Sequence, residues 1–438
     1  MEIKRNIIRQ LQIWKDKPGR KPLILQGARQ VGKTTSIKQF GKSAFDNVAY
    51  FNFERQTQLK QFFEQTKVPE KIIANLSLVN GKPIEPSKTL LVFDEIQECN
   101  DALNSLKYFA EEAPEYHIIC AGSLLGVAMA RGASFPVGKV DFINMYPLRF
   151  VEFLEASNPE LHHYLDSIEN LEPIPDIFFE DLKNHLKRYF ISGGMPEAAA
   201  SLIENNNVSE TEEILQNILK AYQLDFSKHV ENKDIQKIGH IWASLPSQLS
   251  KENKKFLYQT IRTGARAREY EDALAWLVNA GLFYKIHASV KPFLPLSAYD
   301  DLSAFKIYML DVGLLRRLAQ LEPSIYTEGN RLFTEFKDAL AENFILTGLC
   351  GQFDASPRYW RSGNKAEIDF VLQYKNGIIP IEVKSDENIR SKSMSVYRNH
   401  FNPDLNIRFS LRNIHSSDGF LNIPLFMVDY TEKLINLY

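Results

Sequence analysis

Apolar positions along this chain of 438 residues follow two periods, and the period changes with position. The runs at 23–25 and 90–93, and the segment YHIICAGSLLG, are continuously apolar, which predicts strands buried on both faces of a parallel sheet. NVAYFNFE and DFINMYPL read as further extended segments, so the first third alternates strand and helix. Later, IGHIWASLPSQL, KKFLYQTI and REYEDALAWLVNAGLFYKI space their apolar residues for helices. In the last of these Ala273, Leu274, Leu277 and Val278 share a face, and Gly281 ends the helix before a strand. Residues 235–286 thus predict three helices and a strand, the order of a winged helix. RLFTEFKDALAENFILTGL reads as an amphipathic helix, with Glu335 and Glu342 two turns apart on one face. IDFVLQY and IIPIEVKS then alternate as two strands around a Lys-Asn-Gly turn, a hairpin. Residues 158–179 form a connector rich in proline and acids.

Composition narrows the class. Lys+Arg 52 against Asp+Glu 54 leaves a net charge of −2, which excludes a histone-like basic protein and an acidic disordered tail. Hydrophobic residues at 44% supply several cores, and the length suggests roughly two to four domains. No apolar run approaches the ~18 residues of a membrane span, and MEIKRNIIRQLQIW lacks a signal-peptide core. Cys99, Cys120 and Cys350 are too scattered for a disulfide framework or a cysteine zinc site. The expectation is a cytoplasmic, multidomain protein with no membrane contact.

The chemistry begins after the first strand. Gly27, Ala28, Arg29, Gln30, Val31, Gly32, Lys33, Thr34 and Thr35 fit G-x-x-x-x-G-K-[ST], a loop whose backbone N–H groups wrap a phosphate at a helix N-terminus. Lys33 would reach the β- and γ-phosphates of ATP, and the Thr34 hydroxyl would hold Mg²⁺. The run at 90–93 ends in Asp94 and Glu95. Asp94 would serve the Mg²⁺ shell and Glu95 would polarise the attacking water, which makes the site hydrolytic. Ser123 closes the next strand, where a polar residue orients water or simply ends a strand. Arg131 and Arg149 flank DFINMYPL as candidate arginine fingers or plain surface charges.

GARQVGKTT, LLVFDEIQ, AGSLLG, MYPLRFVEFLE and GGMPEA together resemble bacterial and archaeal AAA-type ATPases that carry a C-terminal domain of unknown function with a restriction-endonuclease-like fold. The resemblance spans nearly the whole chain. Arg149 departs from it, standing where a small polar residue is usual. It implies an α/β chain: a P-loop AAA-type core at 1–165, a helical lid at 166–232, a winged-helix region at 233–322 and a PD-(D/E)xK nuclease-like domain at 323–438. By resemblance Gly193, Gly194 and Pro196 form the lid's nucleotide-sensing element; by local pattern alone they are a helix–turn–helix joint.

Two features suggest what the rest of the chain does. Residues 251–268 set Lys251, Lys254, Lys255, Arg262, Arg266 and Arg268 against Glu252 alone, a basic face for duplex DNA or a solvated surface that contacts protein. In the hairpin, Asp369 precedes Glu382 by thirteen positions, and Lys384 follows Glu382 by two, so carboxylate and ammonium share a strand face. Carboxylates that bind Mg²⁺ beside a lysine are what metal-dependent phosphodiester hydrolysis requires. A carboxylate–lysine salt bridge on a half-exposed hairpin is the plainer alternative. The spacing matches the PD-(D/E)xK pattern without its proline, Glu367 precedes Asp369, and the resemblance adds Glu342 as a third carboxylate. Arg390, Lys392 and Arg398, with Tyr397, would track a phosphate backbone or lie on the surface. The expected function is an ATPase whose nucleotide state governs a nuclease-like site on DNA. The alternative is a nucleotide switch that recruits an unidentified protein partner through a vestigial nuclease fold. Self-association into a homo-oligomer stays open.

Overall fold

The computed structural model describes residues 1, 3–122, 136–229, 232–251, 254–323, 336–353, 355–363, 366–385 and 392–438. Ser123, Arg131, Glu252, Glu335 and Arg390 lie outside the described residues. The chain divides into two compact units, one of residues 5–146 with 279–282, the other of residues 1–4, 147–278 and 283–438.

In the first unit the continuous apolar runs become strands β1 (Leu23–Gln26), β2 (Asn47–Asn52), β3 (Thr89–Asp94), β4 (His117–Ala121) and β5 (Asp141–Asn144). Among the described residues they form one sheet in the order β2-β3-β4-β1-β5, parallel throughout. Every residue of β3 and β4 is buried. Helices Lys60–Gln65, Pro69–Asn80 and Asn100–Glu112 pack Phe63, Leu76 and Leu106 into the same core as Phe93 and Phe51. Phe53, Phe63 and Phe93 meet with ring centroids 5.5–5.6 Å apart, a geometry aromatic rings favour. Ligands of such sheets sit beyond the C-terminal strand ends, and β1 and β3 end at the phosphate loop and at Asp94.

The second unit is built on a mixed sheet of β6 (Phe283–Ser289), β7 (Asp300–Met309), β8 (Arg358–Ser362), β9 (Ala366–Tyr374), β10 (Gly377–Val383), β11 (Asn406–Ser410), β12 (His415–Ser417) and β13 (Phe420–Pro424). Among the described residues its order is β12-β13-β11-β10-β9-β8-β6-β7. The β9–β10 hairpin falls where the alternation predicts, closing between Tyr374 and Gly377.

Four local readings need correction. The strand after the three-helix segment does not stand apart as a wing, because β6 runs parallel to β8 through Ala288↔Tyr359 and Ser289↔Trp360. Hydrogen bonding therefore crosses the expected boundary at 322/323. In KKFLYQTI only Tyr258–Ile261 is helical, and Phe256 instead donates its N–H to the Phe305 carbonyl at 2.9 Å. More than a third of the 158–179 connector, whose last residues open the helix Asp176–Ser192, is the helix Pro159–Asp166. The Asn158 side chain caps it by accepting the Leu161 N–H at 3.1 Å, with Pro159 in the first turn. Finally, the helix Lys337–Leu349 is buried nearly all round, Glu342 included. It is a core helix and not an amphipathic one.

Candidate functional site

At the end of β1 the phosphate loop keeps its shape through backbone geometry. A Cβ on Gly27 would lie 2.3 Å from the Met145 carbonyl oxygen, where the loop passes the end of β5, so glycine is needed for close approach. Gln30 and Gly32 both have positive φ. Arg5, a buried cation that sequence patterning gives no reason to single out, donates to the Val31 and Tyr146 carbonyls, each at 2.8 Å. Lys33 heads the helix Lys33–Ala44, and its ammonium donates to the Gly27 and Ala28 carbonyls at 2.8 and 2.7 Å. Burial pulls the Lys33 pKa down to about 8, with Glu95 and Asp94 pulling it up and Arg29 pushing it down. A cation held by neutral carbonyls in a buried loop is under-compensated, and an anionic phosphate would complete it.

Opposite the loop, Thr34 donates its hydroxyl to Asp94 Oδ2 at 3.1 Å. The same oxygen accepts the Tyr50 hydroxyl from the neighbouring strand. Burial, and then that bond to Asp94, raise the Tyr50 pKa. Tyr50 is a site residue missed in the sequence; its adjacency follows from the Asn52↔Asp94 register of β2 and β3. Glu95 takes φ +50, unusual for a residue with a side chain. Its Oε2 accepts the Gln97 amide at 2.6 Å, and it remains half-buried. Hard oxygen donors from Thr34 and Asp94 fit a magnesium ion, and Lys33 with the loop backbone fits a triphosphate.

Two candidate residues serve packing in the second unit. Arg149 is neither a free finger nor a surface charge. It donates to the Cys350 carbonyl at 2.6 Å and pairs with the buried Asp429 at 3.5 Å. Its N–H donates to Glu152 at 2.8 Å, which caps the helix Phe150–Ser157. Gly194 gives its N–H to Asp311 and its carbonyl to the Leu148 N–H, both at 2.6 Å, and a Cβ there would lie 2.0 Å from the Leu148 carbonyl oxygen. Burial lifts the Asp311 carboxyl to about 6, while the Gly194 and Leu314 N–H groups pull it back. This favours the helix–turn–helix joint for Gly193 and Gly194, with Pro196 opening the next helix.

The C-terminal candidates gather around a cleft of about 660 Å³, whose lining includes Glu342, Asp369, Glu382, Lys384, Lys254 and Glu367. Asp369 on β9 accepts the Val383 N–H of β10 at 2.8 Å. Glu382 pairs with Lys384 at 3.1 Å, as their shared strand face predicts. Glu342 accepts the Tyr308 hydroxyl at 2.8 Å and also pairs with Lys254. Lys306, wholly buried, pairs with Glu367 and lies 4.9 Å from the Tyr359 ring centre. Burial raises Asp369 well above the carboxylate range, and the Glu342 charge adds to this against Lys306 and Lys254. Burial also lifts Glu342, yet Lys254 and Lys306 outweigh it and hold that carboxyl below its ordinary value. For Lys384 and Lys306 burial is the largest effect and lowers both, but the facing carboxylates leave each above the ordinary lysine value. Among the described residues no three His, Cys, Asp or Glu side chains come close enough to share one metal ion.

The basic segment is less free than its composition suggests. Lys251 donates to Gln248 Oε1 at 3.2 Å and to Thr260, and Lys254 is spent on Glu342, whereas Arg262, Arg266 and Arg268 are exposed. Lys392 and Arg398 are exposed too, but Tyr397 is a core residue whose ring meets Trp360 edge-on at 5.1 Å.

Residues 19–154 match the family model of an AAA domain, residues 183–325 a domain of unknown function (DUF8612) and residues 337–426 a domain of unknown function (DUF4143). No curated protein matches the chain. Solved structures similar to it include a Walker-type ATPase of Pyrococcus abyssi, 13% identical, covering 72% of this chain and 96% of that one with a TM-score of 0.45. Others are the ORC1 protein of Aeropyrum pernix in complex with DNA (11% identical, 73% and 93% covered, TM-score 0.29) and the RuvB Holliday junction branch migration motor of Thermotoga maritima (14%, 64% and 89%, TM-score 0.29). The chain thus carries an AAA-type P-loop ATPase domain, a class that binds and hydrolyses ATP. Among the described residues no helix is long and apolar enough to cross a membrane.

Proposed function

We propose that this protein hydrolyses ATP with Mg²⁺ at the phosphate loop, and that its nucleotide state governs a metal-dependent, nuclease-like cleft that binds or cuts DNA. In the first unit Lys33 and the loop N–H groups hold the phosphates, Thr34 and Asp94 hold the ion's shell, and Glu95 orients the attacking water. Tyr50 keeps Asp94 aimed at Thr34. The bound nucleotide and its ion supply the phosphoryl chemistry; the chain supplies position and charge. In the second unit Asp369, Glu382 and Glu342 would be the oxygen donors once drawn together around an ion, with Lys384 the cation beside them. The observation that carries this half is the meeting of those four side chains from a helix, two strands and the strand end in one cleft. The elevation of Asp369, a buried carboxyl beside the Glu342 carboxylate, suits a site that takes a divalent cation.

The test is ATP turnover by the full chain with and without duplex DNA, followed by nuclease assays. Turnover that rises with DNA and is lost in Glu95→Gln, with cleavage lost in Asp369→Ala, supports the reading. A second reading, the protein-partner switch with a vestigial nuclease fold, draws support from Lys254, which already sits on one carboxylate. It calls for turnover indifferent to DNA and no cleavage by the unaltered chain.

A further inference from the structure

Lys254 stands out among the cations of the cleft. Lys384 belongs to the strand pattern, and Lys306 is fixed in β7 with its side chain wholly enclosed. Lys254 comes instead from the short segment between the helix Asn232–Leu249 and Phe256, outside the C-terminal segment that provides every carboxylate. Its backbone has φ +46, and its side chain, 12% exposed, lies on a Glu342 carboxylate that is 4% exposed. Lys255, beside it, lines the same cleft. An ammonium on a buried carboxylate occupies the place and supplies the charge that a divalent cation would bring.

We propose that Lys254 is the built-in counter-ion of this cleft, and that a divalent cation engages Glu342 only by displacing it. The inference rests on the reading of the cleft as a metal site. Lys306 cannot give way without unmaking a pair whose ammonium is wholly buried in β7, whereas Lys254, 12% exposed, can withdraw by a side-chain rotation. Once displaced, its ammonium joins Lys255 and Arg361 at the cleft wall, where a phosphodiester would lie. The empty site is thereby charge-balanced and closed to its ion, and metal loading creates an anion-binding wall at the same moment. The substrate class this serves is a polyanionic phosphodiester.

The experiment measures Mn²⁺ binding to the full chain by electron paramagnetic resonance of the free ion, in an Asp94→Asn background that silences the phosphate-loop site. Lys254→Gln should bind at least about tenfold more tightly than the parent, since one nearby opposing charge commonly shifts a carboxylate by one to three pKa units. Lys254→Arg should stay near the parent, and Glu342→Gln should weaken binding in both. Equal affinity of the parent and Lys254→Gln, with Glu342→Gln still weakening it, overturns the proposal and leaves the metal site standing. No binding by either protein removes the metal-site reading itself, and the proposal with it. A second readout avoids substitution: amine labelling of Lys254, followed by mass spectrometry, should rise when Mn²⁺ is added. Labelling that does not change with the ion overturns the displacement.

Discussion

Lysine serves both candidate sites, under opposite conditions. In the phosphate loop the Lys33 ammonium hydrogen-bonds to neutral backbone carbonyls, and burial, against the pull of Glu95 and Asp94, leaves it with a pKa of about 8. In the C-terminal cleft Lys254, Lys306 and Lys384 each lie on a carboxylate. The first arrangement stores unsatisfied positive charge for an anionic ligand; the second spends its cations on its own acids. A buried lysine therefore signals a binding site only once its partners are known. Carbonyl partners point to an incoming anion, and carboxylate partners to internal balance.

The strongest way to break this contrast is to remove Lys33. Lys33→Ala should lower ATP turnover by about 10³-fold, roughly 4 kcal/mol of transition-state stabilisation, read as phosphate release, with little loss of folding stability. Lys306→Met should do the reverse. It leaves Glu367 without its buried partner and should cost about 3–5 kcal/mol in urea unfolding, while ATP turnover of the protein that remains folded stays intact. Arg149→Ala should cost about 2 kcal/mol, because Asp429 and the Cys350 carbonyl lose a charged donor. Its ATP turnover should match the parent; a large drop there would restore the arginine finger. The smallest effect is a pH dependence. A bound triphosphate favours the charged form of Lys33, so nucleotide binding should take up a proton near pH 8 and weaken as pH rises through that value. Lys33→Arg, which stays charged, should bind with a flat profile, and titration calorimetry in two buffers of different ionisation enthalpy measures the uptake.

The ATPase half was the more legible one because its signals are local. An unbroken apolar run, a glycine-spaced loop and a carboxylate at a strand end all lie within a few residues of the atoms they position. Tyr50 and Arg5 escaped notice because their roles come from partners far along the chain: a strand register for Tyr50, two carbonyls for Arg5. In the second unit the hairpin and its Asp369, Glu382 and Lys384 were legible from period and spacing. Lys254 was legible only as one charge in a basic run, since nothing local to it announces Glu342. The same holds for Arg149, whose partners Cys350 and Asp429 stand at the far end of the chain. Asn158 and Pro159 did announce a helix start, but the surrounding prolines and acids masked it.

The pairing of β6 with β8 sets a limit on how this protein can be cut into working pieces. A fragment beginning at residue 323 would retain the hairpin, yet β8 would lose its neighbour and show a bare row of amide and carbonyl groups along its Tyr359–Trp360 stretch. It would also lack Tyr308 and Lys306, leaving the buried Glu342 and the half-buried Glu367 without their donors. Such a piece would seek a new strand to pair with, and the readiest one is another copy of itself.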